Sequence, residues 1–184
     1  MKIEELKLPK LVESSPEINL IKDILTKSQR KLWNKSKLSV PLIPASEKIL
    51  RTLQLEHRKG RIIRGYELID RNLSAEKKGL MIVDDKTAVK RGQRVSRLLI
   101  ISNDGAERYY RKIENLIFSH FPRVLPVMID ADSHLLGESF FGEGKAVKVM
   151  MLEHKESVST VLLSLAKVAQ QQRRTGAAAK SENQ

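Results

Sequence analysis

Cysteine is missing from all 184 residues, which removes disulfides, thiolate metal centres and cysteine nucleophiles from consideration. Aromatic residues are scarce at 4%, so a core has to be built from Leu, Ile and Val. No apolar run approaches the roughly 18 residues that a membrane-spanning helix needs. The opening MKIEELKLPKL is charged throughout and has no apolar block of the secretory kind. A soluble intracellular chain without membrane contact is expected, whether cytoplasmic, nuclear, nucleolar or organellar. Catalytic patterns are missing too. Ser102 has no G-x-S-x-G elbow around it, and the stretch from Gly137 to Lys145 lacks the spacing and the trailing Ser/Thr of a P-loop. No two of His120, His134 and His154 have a metal-ligand spacing. The expectation is therefore a protein with no enzymatic activity, no metal and no cofactor.

What the chain has in excess is positive charge. Lys and Arg number 34 against 22 Asp and Glu, for a formal net charge of +12 and a pI near 10.0. Such a balance favours a polyanionic partner, because each neutralised phosphate releases condensed counterions.

The order of apolar and turn-forming residues points to one α/β domain between about 46 and 172, flanked by an N-terminal extension (1–45) and a disordered polar tail (173–184). Four prolines interrupt the extension, leaving room for one basic helix from Ser15 to about Lys35, with Trp33 expected to dock it. In the domain, SEKILRTLQLEHRKG reads as a helix closed by Gly60, Arg61–Arg64 as a short strand, and Tyr66–Leu73 as a second helix broken at Lys77-Lys78-Gly79. Residues 80–89 suggest a hairpin. Leu98–Ile101 is a continuous apolar run typical of a strand buried on both faces. Asn103-Asp104-Gly105 turns the chain into a helix, and Val124–Ile129 is the next strand, placed near an edge or bulge by Pro126. A short helix capped by Asp132 or Ser133, a glycine loop, a strand from Ala146 to Leu152 and a last helix from Lys155 to Gln172 complete the order. The fold expected is a three-layer α/β/α sandwich around a four-stranded mixed sheet.

Two stretches are more particular. LQLEHRKGRIIRGYELIDR holds a basic-Gly turn (Arg58-Lys59-Gly60) and a second glycine, Gly65, that opens a helix reaching Arg71. Further on, Arg91-Gly92 precedes the Leu98–Ile101 strand and Asn103-Asp104, and Leu136-Gly137 and Gly142 precede the last strand. Together these resemble the kink-turn-binding ribosomal-protein superfamily, the group of L seven Ae, L thirty e and the pelota-type RNA-binding domain. The resemblance covers about 120 residues. It implies RNA recognition by three adjacent edges: the start of the second helix, the turn after the apolar strand and the loop before the last strand. The RNA-binding residues it implies are Lys59, Arg61, Arg64, Gly65, Tyr66, Glu67, Arg71, Asn103, Asp104, Phe141, Gly142, Gly144 and Lys145. Physical chemistry agrees: helix N-terminal N–H groups attract phosphate, glycines allow close approach, and Phe140 or Phe141 could stack on an extruded base. Glu67-Leu68 stand where strong kink-turn binders carry Asn-Glu, and Arg71 stands for lysine. Gly65-Tyr66 is closer to the L thirty e branch, and the region from Asn72 to Thr87 looks like an insertion. An altered RNA target follows.

The function expected is a non-catalytic subunit of a ribonucleoprotein (ribosomal, ribosome-associated or RNA-processing), with structured RNA and other protein subunits as partners. Two alternatives remain open at the level of sequence. Asp104, Asp130 and Asp132 follow strands, as metal ligands of phosphoester enzymes do; their simpler role is in turns and caps. The domain could also bind an acidic protein.

Overall fold

In the computed structural model, which describes residues 5–87 and 93–181, the buried residues split into two clusters on either side of one sheet. The split follows from strand periodicity. In β4 (Arg97–Ile101) Leu98 and Ile100 join one cluster, while Leu99 and Ile101 join the other, and all four are fully buried. The same alternation holds for β5 (Val124–Ile129), where Leu125, Val127 and Ile129 face one way and Val124 and Met128 the other. In β6 (Val149–Leu152) Met150 and Leu152 oppose Val149 and Met151. Each such side chain contributes about 1.5–3 kcal/mol on burial.

The protein is a three-layer α/β/α sandwich with a mixed six-stranded sheet in the order β1-β2-β5-β4-β6-β3. Here β1 is Gln29–Lys31, β2 is Ser39–Ile43 and β3 is Ile62–Arg64. Strands β2, β5 and β4 run parallel; β6 is antiparallel to β4 and β3, and β1 to β2. One face carries α1 (Lys10–Glu13), α2 (Ile18–Lys27), α3 (Glu47–Arg58), α6 (Ser133–Phe141) and α7 (Lys155–Ser181). The other carries α4 (Tyr66–Thr87) and α5 (Glu107–Ser119).

Four sequence expectations are corrected. The sheet has six strands, not four, because residues 29–43 supply β1, where the helix was expected to continue to about Lys35, and β2, where no element was expected. Their neighbours Leu6, Leu8, Val12, Ile21 and Leu25 are buried in the main core, so residues 5–45 are part of the sandwich and not an appendage. Trp33 is half-buried as expected, but it docks a loop: its Nε1 donates to Glu114 Oε2 at 2.9 Å. Second, the hairpin over 80–89 is replaced, as far as Thr87, by a continuation of α4. An interior glycine costs a helix about 1 kcal/mol. Glu76, paired with Arg97 and Arg123, and Lys77, donating to the Ser119 carbonyl, anchor the turn just before Gly79. Ala88 and Val89, like the Arg91-Gly92 pair, lie outside the described residues. Third, α7 passes Gln172 and runs to Ser181, where a disordered tail was expected from 173; the alanine-rich stretch there is a good helix former. Fourth, β5 is internal, despite Pro126. β2 pairs with it only at Met128 and Ile129, so at Pro126 one flank has no ladder partner to miss the proline N–H.

Candidate nucleic-acid interface

Three chain segments meet at one end of the β4-β6-β3 ladder. Arg64, the last residue of β3, is in register with Met150 near the start of β6, and Ile101 at the end of β4 is in register with Val149. The backbone bridges them: Gly65 N–H donates to the Val149 carbonyl at 3.1 Å and Ser102 N–H to the Lys148 carbonyl at 3.0 Å. The start of α4, the β4–α5 turn and the α6–β6 loop are therefore immediate neighbours. Gly65 has φ +86°, which an L side chain adopts only with strain. The first N–H groups of α4 have no partner within the helix and carry its positive dipole end.

Four cationic side chains gather around this junction, with the Glu67 carboxylate among them. The Arg64 guanidinium lies 4.1 Å above the centre of the Phe141 ring, and the centre of that ring is 4.7 Å from that of His57 in a T-shaped contact. Phe141 is thus a platform for Arg64, with one face already covered. Lys112 Nζ is 5.8 Å from the Tyr66 ring and Lys148 Nζ 5.8 Å from the Tyr109 ring. Lys145 is exposed in the loop, whose turns rest on Gly142 (φ +94°) and Gly144 (φ +68°). Arg64, Lys112, Lys145 and Lys148 make no ion pair among the described residues. Burial, reinforced by Glu67, pushes the Tyr109 phenol far up and keeps it protonated.

Asp104, an exposed residue, braces this edge through its carboxylate. Its Oδ1 accepts from Ser102 Oγ at 2.6 Å and Ser133 N at 3.0 Å, and its Oδ2 from Ser133 Oγ at 2.6 Å. Burial alone would raise its pKa, but these hydrogen bonds outweigh it and hold the carboxyl below the usual range. It fixes the β4–α5 turn against the start of α6. Asp132 caps α6, accepting from Leu135 N at 2.7 Å, and Asp130 accepts from Asn103 Nδ2 at 3.0 Å. Each of the three carboxylates considered as metal ligands thus holds a structural element. Among the described residues no group of three or more His, Cys, Asp and Glu is placed to hold a metal ion. Asn103 also borders a groove of about 380 Å³ lined by Arg30, Lys31, Trp33, Asn34 and Tyr110, which continues the basic edge toward β1.

Of the thirteen residues expected on the interface, three lie elsewhere. Arg61 is at the far end of β3, where its carbonyl accepts from Glu153 N at 3.1 Å. Arg61 and Lys59 flank Glu56, at 3.6 and 2.6 Å, a carboxylate only 1% exposed that also accepts from Ser157 Oγ. Arg71 is exposed on the turn of α4 where Asn72 reaches Glu153, again toward that far end. Basic residues before the strand and those after it were read as one cluster, although the strand separates them. Lys112, Lys148 and Tyr109 were overlooked. Lys148 is exposed just before β6, between Val147 and Val149, which enter opposite clusters, so no simple alternation in the sequence marks it.

Glu56 and Asp104 give a pH dependence. Burial raises the Glu56 carboxyl, but Lys59 and Ser157 lower it further, for a net decrease. Both groups have folded pKa values below their unfolded ones. Their stabilisation is thus complete above the ordinary carboxylate range and is lost as pH falls through the lowered values, from about pH 4 downward. Urea unfolding at pH 6 and pH 3 is expected to show a clear loss in wild type and a smaller one in Glu56→Gln. Equal slopes for the two proteins would rule out this role for Glu56.

No family model matches the chain, and no curated protein does. Among solved structures, a protein of unknown function from Bacillus halodurans C is similar at 20% identity and a TM-score of 0.45, covering 66% of this chain and 99% of that one. A 15.5 kD RNA-binding protein of Giardia lamblia is similar at 13% identity and a TM-score of 0.42, covering 66% of this chain and 85% of that one. A distant structural neighbour is thus an RNA-binding protein, at a similarity too low to carry function across.

Proposed function

We propose that this protein is a non-catalytic RNA-binding subunit of a ribonucleoprotein, gripping structured RNA along the edge formed by the start of α4, the β4–α5 turn and the α6–β6 loop. The observation that supports this most is the pair of backbone hydrogen bonds, Gly65 to Val149 and Ser102 to Lys148, that bring together three segments carrying four cations with no ion pair among the described residues. Phosphates approach the open N–H groups of the first turn of α4, which follow Gly65 where no Cβ intervenes, and Arg64, Lys145 and Lys148 neutralise their neighbours. The loop carrying Gly142 and Gly144 closes over a nucleotide lifted from its stack. Leu68 offers no acceptor to a guanine edge, whereas the exposed carboxylate of Glu67 does. The target accordingly differs from a standard kink-turn.

Filter binding against a panel of structured RNAs across salt concentrations tests this. Log affinity is expected to fall linearly with log salt, and Lys145→Ala with Lys148→Ala to reduce the slope by about two units, one per lost phosphate contact. Gly65→Glu is expected to abolish binding while leaving the circular dichroism spectrum intact. Salt-independent affinity, or none for any cellular RNA, would reject the reading.

A further inference from the structure

The distal half of α4 presents a surface that the RNA edge does not use. The helix has 22 residues and so extends about 33 Å, but only Ile69 and Leu73, in its first half, are buried beneath it. Taking 100° per residue, Lys78, Met81, Ile82 and Asp85 share one stripe, on the side opposite Ile69. Met81 is 58% and Ile82 56% exposed, which is unusual for adjacent large apolar side chains on a charged helix. Lys78 and Asp85 are exposed at the two ends of the stripe, and neither has an ion pair among the described residues.

The order cation, apolar, apolar, anion is its own complement when reversed. We infer that two copies of this chain associate through antiparallel α4 helices, with a two-fold axis between Met81 and Ile82. Lys78 then faces the partner's Asp85, Asp85 faces the partner's Lys78, and Met81 packs on the partner's Ile82 at the centre. This is an isologous contact, as closed dimers require. A parallel arrangement would set lysine against lysine and aspartate against aspartate, so the charges select the antiparallel one. Two helices touching over two or three turns bury well under the roughly 1,600 Å² of a standard interface, so the dimer is a weak, concentration-dependent one. Each copy carries +12 overall; at physiological ionic strength that repulsion is screened beyond about 8 Å, while the facing pairs at the interface are closer than that.

Sedimentation equilibrium of the full, nuclease-treated chain at physiological salt, from low to high micromolar concentration, tests the pairing. Wild type is expected to shift from monomer toward dimer mass, and Met81→Lys with Ile82→Lys to remain monomeric. Lys78→Glu and Asp85→Lys are each expected to remain monomeric alone, since each sets like charges face to face. Mixed in equal amounts they are expected to recover the dimer, because every facing pair is then opposite in sign. This recovery cannot come from misfolded variants. Monomeric wild type at every concentration, or a dimer indifferent to Lys78→Glu, would overturn the inference. So would a monomer whose Met81 and Ile82 variants lose a different co-purifying protein.

Discussion

Glu114→Ala is expected to lower the unfolding free energy by about 3–5 kcal/mol, out of the 5–15 kcal/mol typical of a domain. Glu114 is 7% exposed, and its carboxylate collects donors from a single loop. Oε1 accepts from Ser36 Oγ at 2.8 Å, Lys37 N at 2.8 Å and Leu38 N at 3.1 Å, while Oε2 accepts from Trp33 Nε1 at 2.9 Å. Alanine would strand the Lys37 N–H and the Trp33 indole, while the Leu38 N–H keeps Ser36 Oγ at 3.0 Å and the Ser36 hydroxyl keeps the Leu38 carbonyl at 2.9 Å. Each stranded buried donor costs about 1–3 kcal/mol, reduced where water can enter. Trp33 is the sole tryptophan of the sequence, so its emission reports on this loop directly, and a red shift should accompany the lower urea midpoint. Glu114→Gln keeps one carbonyl acceptor and should fall between the two. A loss below about 1 kcal/mol in the alanine variant would mean that the loop finds other acceptors.

The second large effect belongs to Gly137→Ala. A Cβ built there would lie 2.0 Å from the Lys145 carbonyl oxygen, 2.4 Å from its carbon and 2.8 Å from Ala146 Cα. All three are backbone atoms, so no side chain can swing aside, and α6 must separate from the loop it packs on. Overpacking of this kind costs about 1–3 kcal/mol, occasionally more; with only backbone in the way, the upper end is expected. Under the proposed function RNA affinity falls with it, because Lys145 and its loop are displaced. Gly142→Ala is the control. It has φ +94° but nothing within 4 Å, so only backbone strain of about 1–2 kcal/mol is expected. Equal melting temperatures for Gly137→Ala and wild type would contradict the packing described here.

Much of the sandwich was legible in the sequence, since continuous apolar runs such as Leu98–Ile101 are typical of strands covered on both faces. The brace at the start of α6 was partly legible: Asp132 was read as a cap, and it is one. Strands β1 and β2 escaped because Gln29-Arg30-Lys31 carries no apolar alternation and Pro41 argues against a strand. What defines them is pairing with each other and, for β2, with a strand far along the chain, which local pattern does not encode. The distal part of α4 was misread because Lys77-Lys78-Gly79 has the composition of a turn. Two buried acids were visible in principle. Glu114 falls on the apolar face with Tyr110, Ile113 and Ile117, and Glu56 follows Ile49 and Leu53 at helical spacing. An acid at a core position calls for a partner, and each has found several.

The strand order sets a schedule for synthesis. β2 lies against β5, and β3 against β6, so two early strands pair with the two latest, and these ladders cannot form until most of the chain has left the ribosome. Folding that depends on such distant pairings is slow, and the nascent chain carries unsheltered apolar strands meanwhile. Its many cations keep those intermediates apart through mutual repulsion. The same charge that suits the finished molecule to a polyanion thus also guards the unfinished one against aggregation.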